Sequence, residues 1–343
     1  MPVERIGQIY STAPSRFDFG GAPTDVEPFR SQEGGHIVNA TINIKAHATI
    51  IPRTDSRIFI HSDNYQNNDE VHASIQDLTV EGPLRLLRAA ITHVAPSQGF
   101  HLSTNVEAPP GSGLGSSASL SVAVLSALRT LAGEVDLDPI RLAKDALYVE
   151  NVLLGNVNGG QDQYATALGG FHGMDFEPND VKIKTINVSE QTISELEARS
   201  LFCHSGDTHI SGQVLENVMM SYVDGDRSTI NSLRTLKELS YEIEEALTSG
   251  DIEHFGRVMS ATGEEQKKCH PQMIPSSVNK IFNLATQHGA IGGKIAGAGG
   301  AGFIYFFCEK GRRDEVADHL KKNGNSVVPV QFTTDGVVVA SSR

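Results

Sequence analysis

Residues 107–120, EAPPGSGLGSSASL, constrain this chain more than any other segment. Three glycines alternate with other residues after two prolines, and apolar residues follow at helical spacing, namely Leu120, Val124, Leu128 and Leu131. This pattern predicts a glycine loop that leads into a helix. The free N–H groups and the positive dipole end of such a helix favour an anion such as a phosphate. We therefore predict a phosphate-binding loop at 109–119.

Two well-known phosphate loops do not fit this segment. The P-loop ends in Gly-Lys-Ser or Gly-Lys-Thr, and no lysine is present here. The dinucleotide-binding form needs a third glycine three positions after the second, where this chain has Ser116. A flexible turn before an ordinary helix is the remaining alternative.

The segment resembles the second motif of the GHMP kinases, a family that includes galactokinase, homoserine kinase and mevalonate kinase. That motif is usually written Pro-x-x-x-Gly-Leu-Gly-Ser-Ser-Ala. The resemblance implies that ATP is bound through its phosphates by nine consecutive residues, which are Pro110, Gly111, Ser112, Gly113, Leu114, Gly115, Ser116, Ser117 and Ala118.

Residues 13–25, APSRFDFGGAPTD, resemble the sugar-site motif of the sugar-kinase branch, especially the heptose 7-phosphate kinases and the fucokinases. Gly20 and Gly21 allow a tight turn, and Asp25 offers acceptor oxygens for sugar hydroxyls. A surface turn built on the aspartate is the alternative. Arg16 is a candidate catalytic residue that would stabilise charge or lower the pKa of a neighbouring carboxylate, with a surface salt bridge as its alternative.

Residues 292–303, GGKIAGAGGAGF, resemble the third motif of the family, which closes over the substrate and nucleotide phosphates. Gly297, Gly299 and Gly302 also satisfy Gly-x-Gly-x-x-Gly. The run FIYFF at 303–307 predicts a strand, whereas a dinucleotide fingerprint must open a helix, so we reject an NAD-dependent oxidoreductase. Lys294 is a candidate to meet a substrate phosphate, or else a structural lysine of a strand.

The transfer chemistry needs a carboxylate for Mg²⁺ and a base for the attacking hydroxyl. The segment 158–164, NGGQDQY, follows a predicted helix that carries Glu150, and its glycines would let a turn bring Asp162 toward the phosphate loop. The family resemblance assigns Ser117 and Glu150 to the metal and Asp162 to the base. A solvated helix glutamate and an aspartate of an ordinary turn are the alternatives.

The same resemblance assigns substrate contacts to residues of the segments 13–25, 158–164 and 292–303, which are Asp18, Gly21, Thr24, Asp25, Gly160, Gln161, Gly299 and Gly300.

Composition excludes some classes of partner. The 343 residues carry a formal net charge of −13 and no basic tract, which argues against nucleic acid and anionic membranes. The three cysteines form no Cys-x-x-Cys pair, and the first residues lack an apolar signal core. No apolar run approaches the ~18–20 residues of a membrane helix. We expect a cytoplasmic enzyme with a small-molecule substrate. The sequence does not decide between a monomer and a homodimer.

The order of predicted elements favours two α+β domains, 1–170 and 171–343. Antiparallel strands are predicted over 35–60, and helices over 82–95 and 138–154. In the second half we predict strands at 171–176, 181–187, 200–204, 303–308 and 328–341, and helices at 211–223, 228–248, 251–262, 276–289 and 313–322. The resemblance implies an N-terminal domain like domain 2 of ribosomal protein S5 and a ferredoxin-like C-terminal domain.

The resemblance implies an ATP- and Mg²⁺-dependent kinase that acts on a sugar or sugar phosphate, with the anomeric hydroxyl as the expected acceptor. D-glycero-D-manno-heptose 7-phosphate is the first substrate hypothesis, and a hexose 1-kinase like fucokinase or galactokinase is the second. A catalytically silent regulator that binds sugar and ATP is the alternative of another class.

Overall fold

A computed structural model describes residues 7–64, 69–206, 211–297 and 299–342. The described residues form two β-sheets with helices packed around them. The first sheet contains eight strands, which are β1 (Ile9–Gly20), β2 (Gly35–Pro52), β3 (Ile58–Ser62), β4 (Glu70–His72), β5 (Phe100–Val106), β6 (Phe171–Phe176), β7 (Val181–Thr185) and β12 (Val338–Ser341).

The first sheet has the order β12-β1-β2-β5-β3-β4, and β6 and β7 continue from the long strand β2. The antiparallel arrangement predicted over 35–60 is confirmed for β2, but β3 runs parallel to β5. The sheet also takes strands from beyond residue 170, namely β6, β7 and β12. A division of domains at 170 therefore stays a prediction, and it does not coincide with the division between the sheets.

Helices of the first half surround this sheet, and they are α1 (Phe29–Glu33), α2 (Arg85–Val94), α3 (Ser116–Leu131), α4 (Pro139–Tyr148) and α5 (Gln161–Leu168). Helix α3 is almost entirely buried, because it packs on β1 and β2 while α2, α4 and α5 cover its other faces. A central, enclosed α3 holds the glycine loop that precedes it in a fixed position.

The predicted helix over 138–154 is divided. Helix α4 ends at Tyr148, and a π-helical turn follows at Val149–Leu153. Such turns are rare and occur often at functional sites. Glu150 lies inside this turn and is buried.

The second sheet comprises β8 (Ser200–His204), β9 (Ala290–Ile295), β10 (Phe303–Cys308) and β11 (Val327–Pro329), in the order β11-β8-β10-β9 with antiparallel neighbours. This order is the ferredoxin-like one. Its helices are α6 (Glu190–Arg199), α7 (Ser211–Val223), α8 (Arg227–Ser249), α9 (Ile252–Cys269), α10 (Ser276–Gln287) and α11 (Arg313–Lys322).

Aromatic residues join the two sheets. Phe17 and Phe19 of β1 pack against the second sheet, and the ring of Phe17 stacks on Tyr305 with 4.7 Å between centroids. Phe202 closes the same cluster from β8. From Ala13 to Gly20, strand β1 is therefore buried on both faces, which fixes the sheets relative to each other. Among the described residues, no helix combines the length and apolar character needed to cross a membrane.

Candidate active site

The glycine loop has the conformation that its sequence predicts. Gly111, Gly113 and Gly115 have φ angles of 72°, 76° and 73°, a left-handed region that glycine adopts without strain. Gly115 is the N-cap of α3, and no side chain of the described residues caps this helix. The first N–H groups of α3 are therefore available to an anion, as the phosphate-loop interpretation requires.

The third glycine segment packs directly against this loop. The backbone N–H of Phe303 donates to the carbonyl of Ser112 at 2.9 Å. A Cβ on Gly113 would lie 2.5 Å from the carbonyl oxygen of Ala296. Phe303 begins strand β10, so the rejection of a dinucleotide fingerprint is confirmed.

The two glycine segments border a cleft of about 280 Å³. Its wall combines the loop with residues from β1, the turn after β1, and the start of α5. Among the predicted site residues, the cleft is lined by Arg16, Asp25, Gly111, Ser112, Gly113, Gly115, Ser116, Ser117, Gly160, Gln161 and Asp162.

Asp162 lies in the first turn of helix α5, not in an irregular turn as the sequence suggested. Arg16 Nε donates to Asp162 Oδ1 at 2.6 Å, and Arg16 Nη1 donates to the carbonyl of Gly113 at 2.7 Å. Burial alone would lower the pKa of Arg16, but the charges of Asp162 and Asp18 raise it overall. Arg16 thus stays charged and ties the aspartate to the glycine loop.

Glu150 and Ser117 meet beside this loop. Ser117 Oγ donates to Glu150 Oε2 at 2.7 Å, and Gln163 Nε2 donates to Glu150 Oε1 at 2.8 Å. Burial raises the pKa of Glu150 to about 7, against the opposing effect of these two hydrogen bonds. A buried carboxylate beside a hydroxyl offers hard oxygen donors, and a nearby cation would favour its charged form.

Asp25 lines the same cleft and is 4% exposed. Burial and the negative charge of Asp162 raise the pKa of Asp25 to about 7, and a hydrogen bond from the backbone N–H of Gln161 opposes the shift. Gly159 packs so closely on this carboxylate that any side chain there would collide with it. The sequence alone does not reveal this role of Gly159.

The structure corrects the expectation for Asp18. Its side chain is fully buried and does not line the cleft, and Lys294 Nζ donates to Asp18 Oδ2 at 2.6 Å. Asp18 Oδ1 accepts from the backbone N–H of Gly297 at 3.2 Å. The pair therefore anchors the third glycine segment to β1, and neither side chain is available to a substrate.

Four other predicted contact residues shape the backbone around the cleft and do not line it. Gly21 and Thr24 form a turn in which the N–H of Thr24 donates to the carbonyl of Gly21 at 2.9 Å. Gly299 and Gly300 pack on Met273, whose carbonyl accepts from the N–H of Gly300 at 2.8 Å. Their contacts with a substrate therefore stay a prediction.

The polar residues Asn39 and Gln163 were not predicted from the sequence. Asn39 Nδ2 donates to Gln161 Oε1 at 3.0 Å, and so orients a residue that lines the cleft. Gln163 stands next to Asp162 in the NGGQDQY segment, which is the one local signal that could have identified it.

A glycine loop at a helix N-terminus lies beside an arginine-bound aspartate that lines the same cleft. This arrangement suits phosphoryl transfer without a P-loop lysine. The family model of the GHMP kinases N terminal domain matches residues 80–170, and that of the GHMP kinases C terminal domain matches residues 243–326. The chain belongs to the GHMP kinases.

Three similar proteins have sugar-related names. The D-glycero-alpha-D-manno-heptose 7-phosphate kinase of Campylobacter jejuni is 28% identical over 96% of this chain and 98% of that protein. A solved D-glycero-D-manno-heptose 1-phosphate kinase of Bacteroides thetaiotaomicron is 29% identical, with a TM-score of 0.81 and coverage of 97% and 98%. The bifunctional fucokinase/GDP-fucose pyrophosphorylase of Arabidopsis thaliana is 29% identical over 92% of this chain, which spans 31% of that protein.

Proposed function

We propose that this protein uses ATP to phosphorylate a hydroxyl of a sugar or sugar phosphate, with the anomeric hydroxyl as acceptor. The carrying observation is that Asp162 lines the same cleft as the glycine loop, held by Arg16. A heptose 7-phosphate is the first candidate substrate, supported by the nearly full-length similarity to the Campylobacter enzyme. A fucose-like hexose is the second, supported by the similarity to the Arabidopsis protein.

In this proposal Asp162 is the general base. It accepts the proton of the acceptor hydroxyl while the sugar oxygen forms a bond to the γ-phosphorus of ATP. The bond between that phosphorus and the bridging oxygen breaks, and ADP leaves. Arg16 keeps Asp162 oriented, and the N–H groups at the start of α3 bind phosphate oxygens.

Ser117 and Glu150 are the residues that would hold Mg²⁺. A bound Mg²⁺ supplies positive charge that neutralises the phosphate oxygens and aligns the triphosphate. Support comes from the burial of Glu150. The described side chains that bond its carboxylate are those of Ser117 and Gln163, and neither carries a positive charge that would balance it. Asp25 is proposed to accept hydrogen bonds from the sugar.

A cytoplasmic location is also proposed, supported by three buried cysteines that form no disulfide.

The decisive experiment measures ADP release with a panel of free heptose, heptose 7-phosphate, fucose and galactose. Phosphorus NMR of the product then identifies the phosphorylated carbon. We expect turnover with one compound of this panel and a new phosphate at its anomeric carbon. Binding of sugar and ATP without ADP release would instead support a silent regulator, and a phosphate at another carbon would overturn the acceptor assignment.

A further inference from the structure

Three consecutive residues in the first turn of α5 contact three different parts of the site. Gln161 lines the cleft and accepts a hydrogen bond from Asn39, and Asp162 is bound to Arg16. Gln163 Nε2 donates to Glu150 Oε1. A single rigid turn therefore fixes the sugar side, the base and the glutamate relative to one another.

The orientation of the Gln163 amide is determined by its neighbour. The nitrogen must face Glu150, because the amide oxygen would be repelled by the carboxylate. In this orientation Gln163 Oε1 is buried and finds no hydrogen-bond partner among the described residues, and the residue is 1% exposed. An unsatisfied buried carbonyl is unfavourable for stability. Stability of the fold therefore does not explain a glutamine at this position.

The hydrogen bonds divide the two oxygens of Glu150. Oε1 accepts a hydrogen bond from the buried residue Gln163. Oε2 accepts a hydrogen bond from Ser117, which lines the cleft. The carboxylate is thus fixed in one rotation, with a single oxygen beside the hydroxyl at the cleft. This arrangement suits coordination of a cation by one carboxylate oxygen and the serine oxygen.

We propose that Gln163 is a positioning residue that holds Glu150 in the rotation required to bind a divalent cation through Oε2 together with Ser117. The proposal rests on the proposed function, in which Glu150 and Ser117 bind Mg²⁺. Partners that orient metal ligands from behind typically change metal affinity 10–100-fold when they are removed. Gln163→Met keeps a side chain of similar length, removes the N–H donor and removes the orphaned carbonyl.

The test measures Mn²⁺ affinity by electron paramagnetic resonance in the presence of a non-hydrolysable ATP analogue, together with the midpoint of urea unfolding. We expect Gln163→Met to weaken Mn²⁺ binding roughly tenfold or more, with an unfolding midpoint equal to or above that of the wild type. The KM for the sugar should stay unchanged. Gln266→Met is the matched control, because Gln266 is also buried but bonds the backbone of Ile295.

The outcomes separate the two hypotheses. A Gln163→Met protein with wild-type Mn²⁺ affinity would overturn the positioning role if Glu150→Gln does weaken Mn²⁺ binding. If Glu150→Gln also leaves Mn²⁺ binding unchanged, then the proposed metal site itself is wrong. A lower unfolding midpoint with unchanged Mn²⁺ affinity would assign Gln163 a purely structural role.

Discussion

Arg16 lies between Asp162 and the glycine loop, with its Nε 2.6 Å from Asp162 Oδ1 and its Nη1 2.7 Å from the carbonyl oxygen of Gly113. Arg16 is 3% exposed, whereas the side chain of Asp162 is 29% exposed. Arg16 therefore fixes the orientation of the aspartate while part of its carboxylate stays accessible from the cleft. A base needs this accessibility to reach a bound hydroxyl.

Asp162→Asn should abolish turnover and leave ATP binding intact. The amide cannot accept the hydroxyl proton, and the loss of a general base typically lowers the rate ~10²–10⁴-fold. Turnover is measured by ADP release and ATP affinity by calorimetry. A variant that retains more than about half of the wild-type rate would exclude Asp162 as the base, because the loss of a general base lowers the rate far more than this.

The KM for the sugar should fall as the pH rises through about 7. Burial raises the pKa of Asp25 to about 7, so its carboxyl is mostly protonated at pH 6 and mostly charged at pH 8. A charged carboxylate is the stronger acceptor for sugar hydroxyls, so binding improves in that direction. Asp25→Asn should remove the pH dependence, and Asp25→Ala should raise the sugar KM roughly ten- to a hundred-fold, from the loss of about 1–3 kcal/mol.

The KM for ATP, measured in parallel, should change little in both Asp25 variants. If Asp25→Ala raises the KM for ATP and leaves the KM for the sugar unchanged, the N-terminal motif has a role other than sugar binding.

Gly113→Ala should weaken ATP binding by about tenfold or more. The backbone of the loop would have to shift, and its N–H groups would lose the precise geometry that the phosphates need. The added Cβ would lie 2.5 Å from the carbonyl oxygen of Ala296, at a φ of 76° that strains alanine. Gly133→Ala is the control, since Gly133 has a φ of 90° and open space around its Cβ position. Calorimetry should show unchanged ATP affinity for the control. Equal ATP affinities of the Gly113→Ala and Gly133→Ala variants would show that this loop does not bind the phosphates of ATP.

Lys294→Met should destabilise the protein by about 3–5 kcal/mol, because it leaves the buried carboxylate of Asp18 without its partner. Asp18→Asn combined with Lys294→Met should recover much of this loss, since no uncompensated charge remains. Urea unfolding gives both values. Unchanged stability together with a raised KM for a sugar phosphate would instead restore the hypothesis that Lys294 meets a substrate phosphate.

Local sequence was sufficient for several helices and for the glycine loop, but not for α5, which was expected as a turn, nor for β1. The periodicity of residues 82–95 predicted α2 because one face of that helix is apolar, and α2 occupies Arg85–Val94. Strand β1 was not predicted: from Ala13 to Gly20 it is buried on both faces, so its polar residues do not mark a solvent-facing side. Arg16 and Asp18 alternate with Phe17 and Phe19, and both buried charges have partners, Arg16 with Asp162 and Asp18 with Lys294.

The amino-acid sequence was enough to identify the glycines that permit a left-handed loop before α3, because backbone conformation is a local property. It also indicated Glu150 and Asp162 as candidates through the family resemblance, and their roles stay predictions. The pairing of polar groups depends on tertiary contacts, as Asp18 and Lys294 show, because these two residues lie 276 positions apart in the chain. The physical reason is that a buried charge must find its partner in space, and no spacing along the chain encodes a contact made between two sheets.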